Sequence, residues 1–394
     1  MNFINTLSAT ARRVQANATA SAPAPLFPFL PSPPEPIMTF ARYRRLALLA
    51  ALLALGVVAL GAYVRLSDAG LGCPDWPGCY GHLVGVPDAP HEHAQAARLF
   101  PDRPVEAAKA WKEMIHRYAA GTLGLLIAAL AVGAWRGVWT ERGPLRRALP
   151  TALVGLVLFQ ALLGMWTVTL LLKPLVVTAH LLGGMLTWGG LLALNLQLRP
   201  NLTPAPERLP AASPGLRRGA ALFVLLVLGQ IALGGWVSSN YAALACGDFP
   251  ACTGGLTWPA ADWHHAFTLD RSLGATADGA LLPGAALTAI HLAHRAGALA
   301  VLAAAAALAL ALLRQGHRGA AATVTGLTLL QAGLGVANVL ATLPLPLAVA
   351  HNTGAALLLA GALALCHRLA RAPRRDRDAP APRPGGWRQL HPAG

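Results

Sequence analysis

The chain has 394 residues, 55% of them hydrophobic and only 12% charged, with a formal net charge of +15 at pH 7. So few charges among so much apolar surface exclude an ordinary soluble domain, and the apolar content excludes a disordered chain. The positive excess sits on arginines that flank apolar runs. It therefore argues for membrane orientation and contact with anionic lipid, not for nucleic acid, since no basic folded domain is left to bind one.

Residues 1–40 are rich in Ala, Pro and Ser, with Arg12 and Arg13 among them, and are expected to be a disordered or mis-started extension. Met38, followed by basic residues and then an apolar run, reads like a natural beginning, and a targeting segment is the alternative. Eight apolar stretches follow, at 45–65, 115–135, 148–170, 175–197, 218–238, 287–313, 319–341 and 346–368. Each is close to the ~20 residues that cross a bilayer. They lack strand-like alternation, and unpaired backbone amides are costly in hydrocarbon, so all eight are predicted to be helices. The expected fold is an all-α integral membrane protein: one four-helix bundle over 41–200, a second, pseudo-symmetric one over 214–372, and a disordered cytoplasmic tail over 373–394. With both termini cytoplasmic, the pairs Arg44-Arg45, Arg146-Arg147, Arg217-Arg218 and Arg374-Arg375 all fall inside, as the positive-inside rule requires.

The two bundles are copies. LGAYVRLSDAGLGCPDWPGCYG from Leu60 returns as LGGWVSSNYAALACGDFPACTG from Leu233, with both cysteines in register. HRYAAGTLGLL from His116 matches HRAGALAVL from His294, and AHLLGGML around His180 matches AHNTGAALLL around His351. The interval from Gln160 to His180 equals that from Gln331 to His351. A period of roughly 170 residues is too long for a solenoid and marks a duplicated domain.

His116, His180, His294 and His351 each lie near the start of an even-numbered span, so they share one depth toward the outer side. Histidines inside a membrane are costly, and a matched pair in each bundle points to function beyond packing. Two facing imidazoles in a bundle can hold a haem iron axially, and the neighbouring Ala119, Ala120, Gly121, Gly183, Gly184 and Gly297 leave room for a flat macrocycle. Arg117 and Arg295 follow two of these histidines; they suit haem propionates or, equally, a snorkelling interfacial position. The repeat breaks three residues earlier, where Glu113 stands before His116 and His291 before His294. That spacing shares a helix face. One bundle thus resembles a catalytic site and the other an electron-transfer site, although a glutamate near a helix start is also an ordinary dipole partner.

Cys73 with Cys79 and Cys246 with Cys252 follow outward spans, where the compartment is oxidising. Each pair suits a disulfide closing a small loop, either as a staple or in a redox or haem-handling role; their spacing is unlike that of a zinc knuckle. Cys366 reads as a small buried hydrophobe. His82, His91, His93, His264 and His265 read as solvated loop residues, His317 and His367 as interfacial, and His391 as part of the tail.

Taken together, GAYVRLSDAGLGCPDWPGCYG, the EMIHR motif of Glu113 to Arg117, TAH ending at His180, LAHR ending at Arg295 and VAH ending at His351 resemble the haem A synthase family over about residues 42–370. The resemblance implies eight helices in two bundles and oxidation of the C8 methyl of haem O to the formyl of haem A, for cytochrome oxidase. It also implies a resident haem b on His294 and His351, a haem O substrate site lined by His116 and His180, and Glu113 as the catalytic carboxylate. It further implies a link to haem handling for Cys73 and Cys79. The expected location is a bacterial inner membrane with the haem sites near the periplasmic side; on functional grounds haem O synthase and an electron acceptor such as quinone are candidate partners, and a homo-oligomer is possible. Rival readings are a dihaem b electron carrier, a quinone-linked thiol oxidase, and a haem chaperone without turnover.

Overall fold

The computed structural model describes residues 38–140, 143–144, 146–199 and 211–372. The expected N-terminal extension, apart from residues 38–40, and the expected tail over 373–394 lie outside the described residues. Ten helices run α1 (Phe40–Leu66), α2 (Pro90–Leu99), α3 (Ala107–Trp135), α4 (Ala148–Thr169), α5 (Pro174–Gln197), α6 (Pro214–Ser239), α7 (Trp263–Ala266), α8 (Gly284–Arg314), α9 (Arg318–Leu340) and α10 (Leu345–Arg371). A two-residue antiparallel pair, Trp139–Thr140 with Gly143–Pro144, follows α3. Eight helices are long and apolar enough to cross a membrane: all but α2 and the four-residue α7. This is a multi-pass membrane protein.

Local chemistry sets the ends. Thr39 caps α1 by accepting from Arg42 N (3.4 Å), and Ser213 caps α6 by accepting from Leu216 N (3.2 Å). Proline opens α5 and α6, where a missing N–H costs nothing. The spans begin earlier than their apolar cores predict, α3 at Ala107 and α8 at Gly284, because amphipathic turns precede the hydrocarbon-length segments. His116 and His294 therefore lie about two and a half to three turns into their helices, deeper than a place near the start.

The exits repeat as faithfully as the sequence. After α1 and α6 the chain passes through a left-handed residue, Asp68 (φ 53°) and Tyr241 (φ 56°). After α4 and α9 it passes through two, Leu171–Leu172 and Thr342–Leu343, with φ between 50° and 60°. Each exit is closed by an N–H reaching five residues back, such as Leu172 N to Thr167 O (2.8 Å) and Leu343 N to Asn338 O (2.7 Å). Those bonds satisfy carbonyls that the helix end would otherwise orphan.

Helices α1, α3, α4 and α5 close a ring in which each touches the next, and α6, α8, α9 and α10 close a second. The rings meet through α5 on α6, α1 on α10 and α5 on α10; exchanging the halves maps this set of contacts onto itself. Residues at equivalent positions of the repeat also touch one another. Arg65 Nη2 donates to Ser238 O (2.8 Å), and Tyr241 Oη donates to Asp68 Oδ1 (2.9 Å), both at a separation of 173 residues. Self-equivalent contacts of this kind belong on a two-fold axis. Small buried residues such as Ala47, Ala50 and Ala54 of α1 let helices approach closely in the core. Only 17% of the apolar window of α4 and of α9 is buried, against 39% in α1, α5 and α6. The fourth and ninth helices therefore form the lipid-facing outer wall.

Candidate functional site

Each of the four repeat histidines packs against a glycine on the neighbouring helix of its own ring. A Cβ built on Gly61 would lie 2.9 Å from His116 Cε1, on Gly164 3.4 Å from His180 Cε1, on Gly234 3.1 Å from His294 Cε1, and on Gly335 3.1 Å from His351 Cε1. A methyl group at Gly61, Gly234 or Gly335 would press on the ring, whereas at Gly164 it would just reach contact distance. The glycines are thus seats, and they bring α1 to α3, α4 to α5, α6 to α8 and α9 to α10 at one level.

His294 and His351 face each other with ring centroids 6.5 Å apart and planes at 79°. A metal-bound imidazole nitrogen lies about 2.0 Å from the ion, with its ring centre about 1.1 Å further out, so two rings sharing one ion stand roughly 6.2 Å apart. The spacing of the pair is close to that of two imidazoles sharing one ion. In the first half, His116 and His180 stand within electrostatic reach of each other, and the Nδ1 of each is buried without a hydrogen-bond partner. Unpaired buried ring nitrogens call for a ligand or a cost.

Glutamines hold three of the four histidines. Gln230 Nε2 donates to His294 O (2.9 Å) and lies 3.1 Å from its Nδ1; Gln331 Nε2 does the same to His351 at 2.9 and 3.2 Å. Gln160 Nε2 donates to His180 O (2.8 Å) only. Sequence analysis aligned Gln160 with Gln331 but missed Gln230. A signal was present: Q-x-x-L-G occurs at Gln160, Gln230 and Gln331, ending on the seat glycine each time.

The residue three before the first histidine of each half docks a loop. Glu113, buried, accepts from Cys73 N through Oε2 (3.0 Å) and pairs through Oε1 with Arg117 Nη2 (2.5 Å). Its counterpart His291 accepts from Cys246 N through Nδ1 (3.2 Å). Both cysteine pairs are closed as disulfides, Cys73–Cys79 and Cys246–Cys252, with all four cysteines fully buried. The arginines reach these loops. Arg117 Nη1 donates to Asp75 O (3.0 Å), Pro77 O (3.2 Å) and Gly78 O. Arg295 donates to Ala251 O (2.8 Å), Cys246 O (3.1 Å) and Asp248 O (2.8 Å). A guanidinium has five donors in a planar fork, and a turn of exposed carbonyls converging on one point suits it. Glu113 is thereby held at both oxygens and linked through one hydrogen bond to the disulfide loop.

Of the other histidines, His265 lies 2.6 Å from Asp262, whose carboxyl its hydrogen bonds hold below the usual range, and His82 lies 4.0 Å from Glu92. These are loop contacts, apart from the four ring histidines.

Fold and site together define an eight-span membrane protein with paired intramembrane histidines beneath disulfide-closed loops. Residues 44–363 match the COX15-CtaA family model, described as cytochrome oxidase assembly protein. The chain belongs to that family. It is 45% identical over 308 residues to heme A synthase of Shewanella oneidensis, covering 77% of this chain and 89% of the relative. Heme A synthase COX15 of Homo sapiens is 29% identical over 352 residues, 81% of this chain and 80% of the relative. Heme A synthase of Mesorhizobium japonicum is 28% identical over 337 residues, 77% and 84% respectively.

Proposed function

We propose that the chain is a haem A synthase, an oxidoreductase that converts the C8 methyl of haem O to the formyl of haem A. The family and its relatives support the activity. The 6.5 Å facing pair of His294 and His351 supports the division of labour, since that is the spacing of two imidazoles on one iron. In this reading His294 and His351 hold a resident haem b, and His116 and His180 line the site of the substrate, haem O. When bound, the resident haem supplies a one-electron relay toward an acceptor such as a quinone.

Glu113 holds negative charge at one atom pair beside His116. Arg117 and Cys73 N keep its carboxylate from turning. A carboxylate engaged at both oxygens is poorly placed to take a proton but well placed to stabilise positive charge developing on the substrate's methyl carbon, where low dielectric strengthens the interaction. In each of two successive hydroxylations that carbon gives up two electrons to the acceptor and two protons are released as water adds its oxygen; the second gives a gem-diol, and loss of water gives the aldehyde. The bacterial inner membrane is the proposed location, with both termini cytoplasmic and the histidines near the periplasmic side, where the disulfides persist. Haem O synthase is the proposed donor of substrate, and homo-oligomers remain compatible with this arrangement.

The test is to express the chain beside a haem O producer lacking the last step and to identify the extracted haems by chromatography and mass. Haem A is expected. Haem b alone, with haem O unchanged, would instead indicate an electron carrier.

A further inference from the structure

The clamp on the histidines is graded, and the gradation follows the proposed roles. His294 and His351 are each held at the backbone and at Nδ1 by a glutamine. His180 is held at the backbone alone, and its Nδ1 is unpartnered. At His116 the glutamine's place in the repeat is taken by Val57, in V-V-A-L-G where the other three helices carry Q-x-x-L-G. The second half of the motif is missing there too. His180, His294 and His351 are each followed three residues later by glycine, and a Cβ on Gly183, Gly297 or Gly354 would run into the oxygen of the clamping glutamine. His116 is followed by Ala119. Room for the glutamine and the glutamine itself are present or absent together, so the cradle is one unit built three times and left out once.

Groups that hydrogen-bond the second ring nitrogen of a histidine fix its orientation and tautomer, and removing them typically costs about 10–100-fold in metal affinity. As placed, Nε2 faces Nδ1 while the Oε1 of Gln230 and of Gln331 is buried without a hydrogen-bond partner; turning the amide over sets Oε1 against Nδ1–H, the tautomer that leaves the other ring nitrogen free for iron. Resting on the proposed haem assignments, we infer that Gln230 and Gln331 are positioning residues that make the second-half haem permanent, and that Val57 with Ala119 leaves His116 as the ligand that lets substrate in and product out. A substrate that is itself a haem must leave after each turnover. A resident one must not.

The experiment uses the full-length protein loaded in cells, purified, and mixed with excess apomyoglobin, while the haems remaining on the chain are extracted and separated over time. Gln230→Leu and Gln331→Leu are expected to lose haem b about 10–100-fold faster than the parent, with loss of haem O and haem A unchanged. The double variant Val57→Gln/Ala119→Gly is expected to slow loss of haem O and haem A by about 10-fold or more, with haem b unaffected. The ferric low-spin resonance spectrum, which reports the angle between two axial rings, should change in Gln331→Leu and not in the double variant. Should either glutamine variant fold poorly, the double variant tests the idea alone, because it adds the clamp. Rates within twofold of the parent in all three variants overturn the inference. Failure of the underlying assignment looks different: His294→Ala and His351→Ala would then keep haem b, whereas a wrong clamp leaves those two variants without haem b while the glutamine variants behave as the parent does.

Discussion

The two halves share a backbone plan down to their left-handed exits and differ in the chemistry placed on it. In the second half His291 holds Cys246 N with a neutral ring, Arg295 bonds loop carbonyls and lies over the Phe249 ring, and both ring histidines are clamped. In the first half the equivalent position is a carboxylate, Arg117 divides its donors between the loop and Glu113, and one histidine has no clamp. The comparison teaches that Glu113 has two separable jobs. Docking the disulfide loop is the shared one, because a histidine does it in the other copy. A carboxylate at this position is particular to the first half.

Breaking the comparison at its strongest point means removing a ligand. His294→Ala is expected to abolish bound haem b, read as pigment per protein after purification, while His116→Ala keeps it. The reverse pattern would exchange the two bundles' roles. Next, Glu113→His copies the second half into the first. It preserves an acceptor for Cys73 N and removes the charge, so haem b content should be unchanged while formyl product falls about 10²–10³-fold, the range for losing one electrostatic contact in a buried site. Full activity in this variant would reduce Glu113 to a docking residue.

The seat glycines sharpen the contrast at smaller scale. Gly61→Ala and Gly234→Ala press on His116 and His294 from 2.9 and 3.1 Å. The tighter contact is in the first half, yet the ring there is free to yield and the other is pinned by Gln230. Gly234→Ala is therefore expected to cost more in thermal unfolding, about 1–3 kcal/mol as overpacking does. Gly326→Ala, with open space around it, should be neutral or slightly stabilising. The smallest effect belongs to the ion pair between the halves, Lys173 Nζ with Asp270 Oδ1 at 2.5 Å, whose carboxylate is almost fully exposed. Lys173 holds the Asp270 pKa below its ordinary value, so any stabilisation is present at neutral pH and is lost as pH falls through that lowered value. Asp270→Asn should leave the melting temperature unchanged at pH 7.

Much of this was legible before folding. Hydrocarbon-length apolar runs fix eight spans because lipid tolerates little else, and the duplication showed which polar residues recur. Gln230 escaped notice because its histidine lies 64 residues away across a long loop, whereas the other two glutamines stand 20 residues from theirs. Arg117 and Arg295 could not be assigned either. A guanidinium at an interface suits a carboxylate, a propionate or water equally well until the loop beside it has a shape.

The sequence by itself determined the spans, the repeat, the four histidines and the place where Glu113 departs from His291, because periodicity and residue type are local properties of a chain in a membrane. Only the tertiary structure decided that each histidine sits on a glycine, that both arginines gather loop carbonyls, and that Glu113 is tied to a disulfide through Cys73 N. Those are contacts between different helices and loops, and the side chains that meet there are selected by packing and by the need to satisfy every buried donor and acceptor.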